Sequence, residues 1–287
     1  VKNRLPILLA ALVAILALVE TGNALLAPLR VPSSQDWDAA AAEVRARLMP
    51  GDLIVFAPHW VDQIGRMHLG DVIPVEMAAH ADADRYARVW EVSIRGARSP
   101  ESSGARLVDD KHFGKVRVAL YEKPASAIAY DFTSHIGEAR VTQTMGISGE
   151  TPCYRDGGAV AFRCATTRVE PRTLELDFLP RRGVLVPVDG ARATHLEWNE
   201  VPLGRTLVVY TGIHDYYSRK RADGRVDVRV SIDGHEQLRD STVNEDGWKR
   251  HEIDTAAVAG TRHTVRFDIS APIPDWRSFG FHAEARQ

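Results

Sequence analysis

From residue 125 onward the chain breaks into short segments in which apolar and polar residues alternate. They are 140–144, 174–178, 184–188, 194–198, 206–212, 226–232, 249–253, 263–269 and 279–283. Asp189-Gly190, Asp223-Gly224, Asp233-Gly234 and Asp246-Gly247 punctuate them. A period of two sends successive side chains to opposite faces, so such a segment buries its apolar set only as a strand. Asp-Gly pairs favour hairpin turns. Many short strands separated by such turns predict an antiparallel β-sandwich, or jelly roll, over residues 125–287.

Residues 31–124 read differently. After a Pro/Ser linker at 31–34, Trp37, Ala41, Val44 and Leu48 recur at helical spacing. Pro50-Gly51 stops that helix, and 53–57 is a continuous apolar run, as expected of a strand buried on both faces. Residues 76–88 read as a helix, 88–94 and 116–121 as strands, and 96–114 as a mobile loop. Helix and strand alternating in this order predict a small α/β lobe with a short parallel sheet. The expected class is therefore an α+β multidomain chain.

Residues 1–30 form the third part. Lys2 and Arg4 precede 5–19, where every residue is apolar. Apolar residues return at 24–29, and Gly22-Asn23-Ala24 fits a small-x-small cleavage rule. A basic start before an apolar stretch reads as a signal peptide or a signal-anchor, and both readings stay open. The basic flank puts the body outside the cytoplasm, periplasmic or at the cell surface, or secreted after cleavage. Cys153 and Cys164 flank a turn and a short strand, so a hairpin can bring their sulfurs together in an oxidising compartment. With 38 acidic and 36 basic residues the net charge is -2, which gives no electrostatic case for binding nucleic acid.

Met49-Pro50-Gly51-Asp52-Leu53-Ile54-Val55-Phe56-Ala57-Pro58, with Arg88-Val89-Trp90 after it, carries a resemblance. Residues 37–122 resemble the extracytoplasmic soluble region of membrane-embedded glycosyltransferases that use polyprenyl-phosphate sugars. The membrane helices holding the acidic catalytic residue of those enzymes have no counterpart here, so no catalytic residue is carried over. Residues 196–286 are similar to a galactose-binding-like jelly roll. The resemblance rests on Pro202-Leu203-Gly204-Arg205, the strand 226–232, Asp233-Gly234 and Gly247-Trp248. Members of that fold often bind sugars, although fold alone does not supply function.

Three groups carry chemistry. His59, Asp62, His68 and Asp71 follow the first strand of the lobe and would suit a divalent ion, with Glu76, His80, Asp82 and Asp84 nearby. His214, Asp215, Tyr216, Tyr217 and Arg219 lie in a loop between sandwich strands; rings that stack on sugars beside charged groups that bond hydroxyls are the chemistry of glycan recognition. Trp276, Arg277 and the run Trp198-Asn199-Glu200 could join that loop. Ser99, Ser102, Ser103 and Ser134 have His112 and His135 near them in sequence, but no Gly-x-Ser-x-Gly elbow, Walker loop or dinucleotide fingerprint accompanies them. No cofactor is expected.

The leading expectation is a non-catalytic, membrane-associated extracytoplasmic protein that binds carbohydrate or a lipid-linked glycan, or assists surface-glycan assembly beside a glycosyltransferase or other envelope partner. One alternative is a metal-dependent hydrolase or transferase acting at the His59–Asp71 loop. Another is a structural partner in an envelope complex.

Overall fold

The apolar N-terminal run is helical from Leu5 to Leu26 (α1), and its window Leu9–Leu26 is long and apolar enough to cross a membrane, with none of it buried. The structure is a computed structural model that describes residues 5–26, 31–74, 77, 82–157, 160–177, 179–214, 224–273 and 276–287. Two compact units emerge: residues 1–73 with 87–123, and residues 74–86 with 124–287.

In the first unit Ser33 opens α2 (Ser34–Arg47) with a capping box: its hydroxyl accepts from the Asp36 amide, and the Asp36 carboxylate accepts from the Ser33 amide. Trp37, Ala40, Ala41 and Val44 form the buried stripe of that helix. The strand β1 (Leu53–Ala57) is buried throughout and precedes a short helix, α3 (Asp62–Leu69). The strands β2 (Arg88–Ile94), β3 (Arg106–Phe113) and β4 (Val116–Glu122) complete a sheet ordered β1-β2-β4-β3.

Only β1 and β2 run parallel; β2–β4 and β3–β4 are antiparallel. The expected parallel sheet is thus a mixed sheet with one parallel pair. The missing piece is β3, which lies in the stretch read as a mobile loop. It is an edge strand with exposed and half-exposed side chains, Arg-Leu-Val-Asp-Asp-Lys-His-Phe, and charged edges carry little apolar signal. Of the helix expected at 76–88, the described part is 3₁₀ at Met77 and at Ala83–Arg85, and Arg88 already belongs to β2; most of the remainder lies outside the described residues.

The second unit is a β-sandwich. Its strands are β5 (Ile128–Asp131), β6 (Arg140–Met145), β7 (Thr151–Pro152), β8 (Tyr154–Arg155), β9 (Phe162–Arg163), β10 (Arg168–Leu176) and β11 (Leu179–Val188). They continue as β12 (Arg192–Pro202), β13 (Thr206–His214), β14 (Val226–Ile232), β15 (His235–Thr242), β16 (Lys249–Asp254), β17 (Arg262–Ser270) and β18 (Arg277–Arg286). One sheet runs β16-β13-β18-β11-β10-β9-β8, with β5 also paired to β18; the other runs β15-β14-β17-β12-β6-β7.

Alternation builds the core. Phe279, Phe281, Ala283 and Ala285 of β18 face inward with Val184, Val186 and Val188 of β11, against Trp198, Val228, Val230, Val265 and Phe267 of the opposite sheet. Phe267 stacks on Phe281 at 4.7 Å, and Trp198 meets Phe132 edge-on at 5.1 Å. The Trp198 indole N–H donates to the His135 carbonyl at 3.0 Å, so its one polar atom is satisfied. Burying a side chain of this size contributes about 1.5–3 kcal/mol. Trp198, expected as a possible companion of the ligand loop, is instead fully buried.

Cys153 and Cys164 are joined by a disulfide across Cα atoms 4.5 Å apart, closing the small β8–β9 hairpin.

Candidate binding cleft on the sandwich

Because Phe279, Phe281, Ala283 and Ala285 point into the core, the intervening His282, Glu284 and Arg286 must stand on the outer face of the sheet. Tyr210 of β13 lies beside His282 in register, and Arg181 of β11 lays its guanidinium 3.7 Å from the Tyr210 ring centroid. Higher on the same face, Gly212 and Gly280 leave room for the β10 side chains. An added Cβ there would stand 2.2 Å from a Leu176 or Leu174 methyl. Leu174, Leu176 and Leu185 form a second, small apolar layer with Trp248 against it. The Trp248 indole N–H donates to the Leu179 carbonyl at 2.9 Å, and Arg181 sits 5.7 Å from that ring.

Residues 82–86 bring the complementary charges. Asp82 Oδ2 accepts from the Tyr210 hydroxyl and from Arg286 Nη2, both at 2.6 Å, while Arg250 Nε donates to the same hydroxyl at 3.0 Å. Arg286 also donates to Glu284 Oε2 from Nε at 3.0 Å and Nη2 at 2.8 Å. Arg85 Nη2 approaches Glu284 Oε1 to 3.2 Å. His282 Nε2 lies 3.1 Å from that same oxygen without the alignment of a hydrogen bond. Glu284, Arg286 and His282 are at most 4% exposed.

Burial opposes ionisation of Asp82, yet hydrogen bonds from Arg286 and Tyr210, with the charges of Arg286 and Arg250, outweigh it and bring its pKa down to about 2. Glu284 behaves alike: burial raises it, and His282, Arg85 and Arg286 carry it down to about 2. Burial, then the hydrogen bond to Asp82, push the Tyr210 phenol up to about 12. The face therefore holds ionised carboxylates and a neutral phenol at neutral pH.

Over this floor opens a cleft of about 310 Å³, lined by Pro74, Met77, Asp82, Arg85, Tyr86, Asp131, Thr133, Arg181, Arg182 and His282. The apolar Pro74, Met77 and Tyr86 ring supply contact surface and the arginines supply donors, while Thr133 Oγ1 and His282 Nδ1, on nearly buried side chains, lie 3.4 Å apart. Asp131 is already engaged, accepting from the amides of Thr133 and Ser134 and from the Ser134 hydroxyl.

The lining comes from four separated stretches of chain, and of it only Asp82 was singled out in the sequence, as a metal candidate. The signal for the floor was the period-two row His282, Glu284, Arg286, opposite an apolar row on one strand. Reading that strand as ending at residue 283 cut the row short.

The other expected residues fall elsewhere. His214 ends β13, where its Nδ1 accepts from the Glu175 amide at 3.2 Å; Asp215, Tyr216, Tyr217 and Arg219 lie outside the described residues. Trp276, 49% exposed, sits at the same sheet end, since His214 pairs with Ser278. Arg277 is 1% exposed and donates to the carbonyls of Gly224 and Trp276, so it holds backbone.

In the first unit, Asp62 accepts from Arg66 at 2.7 Å, His68 Nδ1 meets Asp38 at 2.8 Å and Asp71 accepts from Arg45 at 2.6 Å; His59 lies in the 3₁₀ turn His59–Val61. Among the described residues, no group of three or more His, Cys, Asp or Glu side chains gathers as a metal site. Glu76 and His80 lie outside the described residues.

The outer face of the six-stranded sheet is also polar. His195 bridges Thr144 Oγ1, 2.9 Å from Nε2, and Asp268 Oδ1, 2.6 Å from Nδ1. This has the connectivity of a nucleophile relay. However, Arg266 donates to Asp268 at 2.7 Å and Arg229 at 2.8 Å, which cancels the charge that would support an imidazolium. Burial raises the Asp268 carboxyl, but hydrogen bonds from His195, Arg266 and Arg229 hold it well below the usual carboxylate range. The network ties strands together.

No protein-family model and no curated protein matches the chain. Solved structures do. The CBM51 module of GH95 from Clostridium perfringens, solved with methyl-galactose, is 10% identical with a TM-score of 0.29, over 50% of this chain and 91% of that one. TmCBM61, solved with beta-1,4-galactotriose, is 21% identical with a TM-score of 0.26, over 36% and 70%. The CBM22-1-GH10 modules of xylanase 10B from Clostridium thermocellum, solved with xylohexaose, are 11% identical with a TM-score of 0.32, over 56% and 29%. At these TM-scores the overlap carries no functional argument. None of these three is described as a glycosyltransferase, so the resemblance of residues 37–122 rests on its motifs alone.

Proposed function

We propose that the chain is a non-catalytic, membrane-associated extracytoplasmic protein whose sandwich binds carbohydrate through the cleft over β11, β13 and β18. The observation that carries this reading is the cleft itself. Its volume of about 310 Å³ sits at the lower end of the range of ligand sites, suited to one or two sugar rings. Its lining alternates an aromatic ring and short apolar groups with hydroxyl, carboxylate, imidazole and guanidinium groups, the mixture that a polyol with C–H faces requires. The length and composition of α1 support a membrane anchor, and the Cys153–Cys164 bridge supports an oxidising compartment. A role in surface-glycan assembly, beside a lipid-linked substrate or a glycosyltransferase partner, belongs to the same proposal and rests on the motifs of residues 37–122 alone.

A glycan array probed with the full-length protein in detergent tests the reading. Retained saccharides whose signal falls in Thr133→Val or Tyr86→Ala support it. Saccharide binding that ignores both changes and is lost in Trp276→Ala would instead place the site at the His214–Trp276 end of the sandwich, where a half-exposed indole supports a second reading. An array with no retained saccharide overturns carbohydrate binding altogether.

A further inference from the structure

We propose that the cleft selects a glycan bearing an anionic group, a carboxylate or a phosphate, which Arg181 and Arg182 bind. This rests on the carbohydrate reading above and specifies its ligand.

Beneath and beside the cleft, each carboxylate already has partners: Asp82 has Arg286 and Tyr210, Glu284 has Arg286 and Arg85, and Asp131 has the Thr133 and Ser134 donors. Arg181 has none of this kind. Among the described residues it makes no ion pair and no hydrogen bond, and its Nε is buried without an acceptor. Its contacts are the faces of Tyr210 and Trp248, at 3.7 and 5.7 Å, which hold the guanidinium without accepting a hydrogen bond in its plane.

Burying a cation whose neighbouring carboxylates, Asp82 and Glu284, bond to other arginines is unfavourable. Burial pushes the Arg181 pKa down by more than the charges of Asp82 and Glu284 raise it, although arginine stays charged under ordinary conditions. A ligand oxyanion entering the cleft would supply the missing acceptor through charge-assisted bonds, to which a planar guanidinium is suited. Arg182, exposed on the next residue and also in the lining, adds a second cation at the surface. Neutral hydroxyls would give Arg181 no anionic acceptor of its own, so the preference is for the acidic form of a sugar.

The test uses the full-length protein in a neutral detergent and two matched probe pairs. Trigalacturonate and galactotriose of the same α-1,4 linkage differ in a carboxylate for a hydroxymethyl on each ring, and galactose 6-phosphate and galactose differ in a phosphate. The expected result is that at least one acidic probe binds about tenfold more tightly than its neutral partner at low salt. That advantage should shrink in Arg181→Gln and Arg182→Gln, survive in part in Arg181→Lys, and weaken with added salt. Arg182→Gln, at an exposed position, keeps the test valid should Arg181→Gln fail to fold. Which acidic probe shows the larger gain assigns carboxylate or phosphate. Equal binding within both pairs overturns the anion preference while leaving carbohydrate binding standing. An acidic preference untouched by either arginine change also overturns it, and no binding of all four probes at millimolar concentration overturns both.

Discussion

Arg286 donates to Asp82 and to Glu284 on a face where all three side chains are nearly buried, so each carboxylate depends on it for compensation. Replacing it with methionine leaves two buried charges short of a partner, and chemical denaturation should show a loss of about 3–5 kcal/mol. The pH dependence follows from the same groups. Both carboxylates have pKa values near about 2 when folded, against ordinary values of 3.8 and 4.5. A depressed folded pKa contributes stability that is complete above the unfolded value and is lost as pH falls through the folded one. Melting temperature should therefore drop between pH about 4.5 and about 2, with Asp82 alone contributing on the order of 2 kcal/mol. In Asp82→Asn that acid limb should be shallower, although the variant is less stable at pH 7. An unchanged acid limb would remove Asp82 from the account.

Among the elements, those with one buried and one solvated face were the legible ones: β14 has the bounds expected of it, Val226–Ile232, because Val226, Val228 and Val230 alternate with Asp227 and Arg229. Edges were not legible. Both β3 and β15 are polar along most of their length, since an unpaired strand edge is protected by charge and not by burial. The cleft could not be read locally either. Its lining is drawn from 74–86, 131–133, 181–182 and 282, so no spacing in the chain announces it, whereas the dense run from His214 to Arg219 drew attention through composition alone. Gly280→Ala should cost about 1–3 kcal/mol, because its methyl would have to displace Leu174 from the small outer layer. Changing Cys153 and Cys164 to serine should lower stability by up to about 3 kcal/mol, the loop-entropy value for a closed segment of this length, read as a shift in urea midpoint.

For the whole molecule, we propose that the charge-compensated sheet face carries the saccharide cleft, and that the cleft of about 440 Å³ on the opposite outer face, lined by His195, Arg229 and Asp268, does not bind it. A direct comparison of the two faces decides this. Calorimetric titration of the full-length protein with the saccharide retained most strongly on the array should be made for the parent, Tyr86→Ala, Thr133→Val and Arg229→Gln. The cleft residues each contribute on the order of 1 kcal/mol, so Tyr86→Ala and Thr133→Val should weaken binding several-fold while Arg229→Gln leaves it unchanged. Full binding by both cleft variants, or a loss confined to Arg229→Gln, would contradict the account.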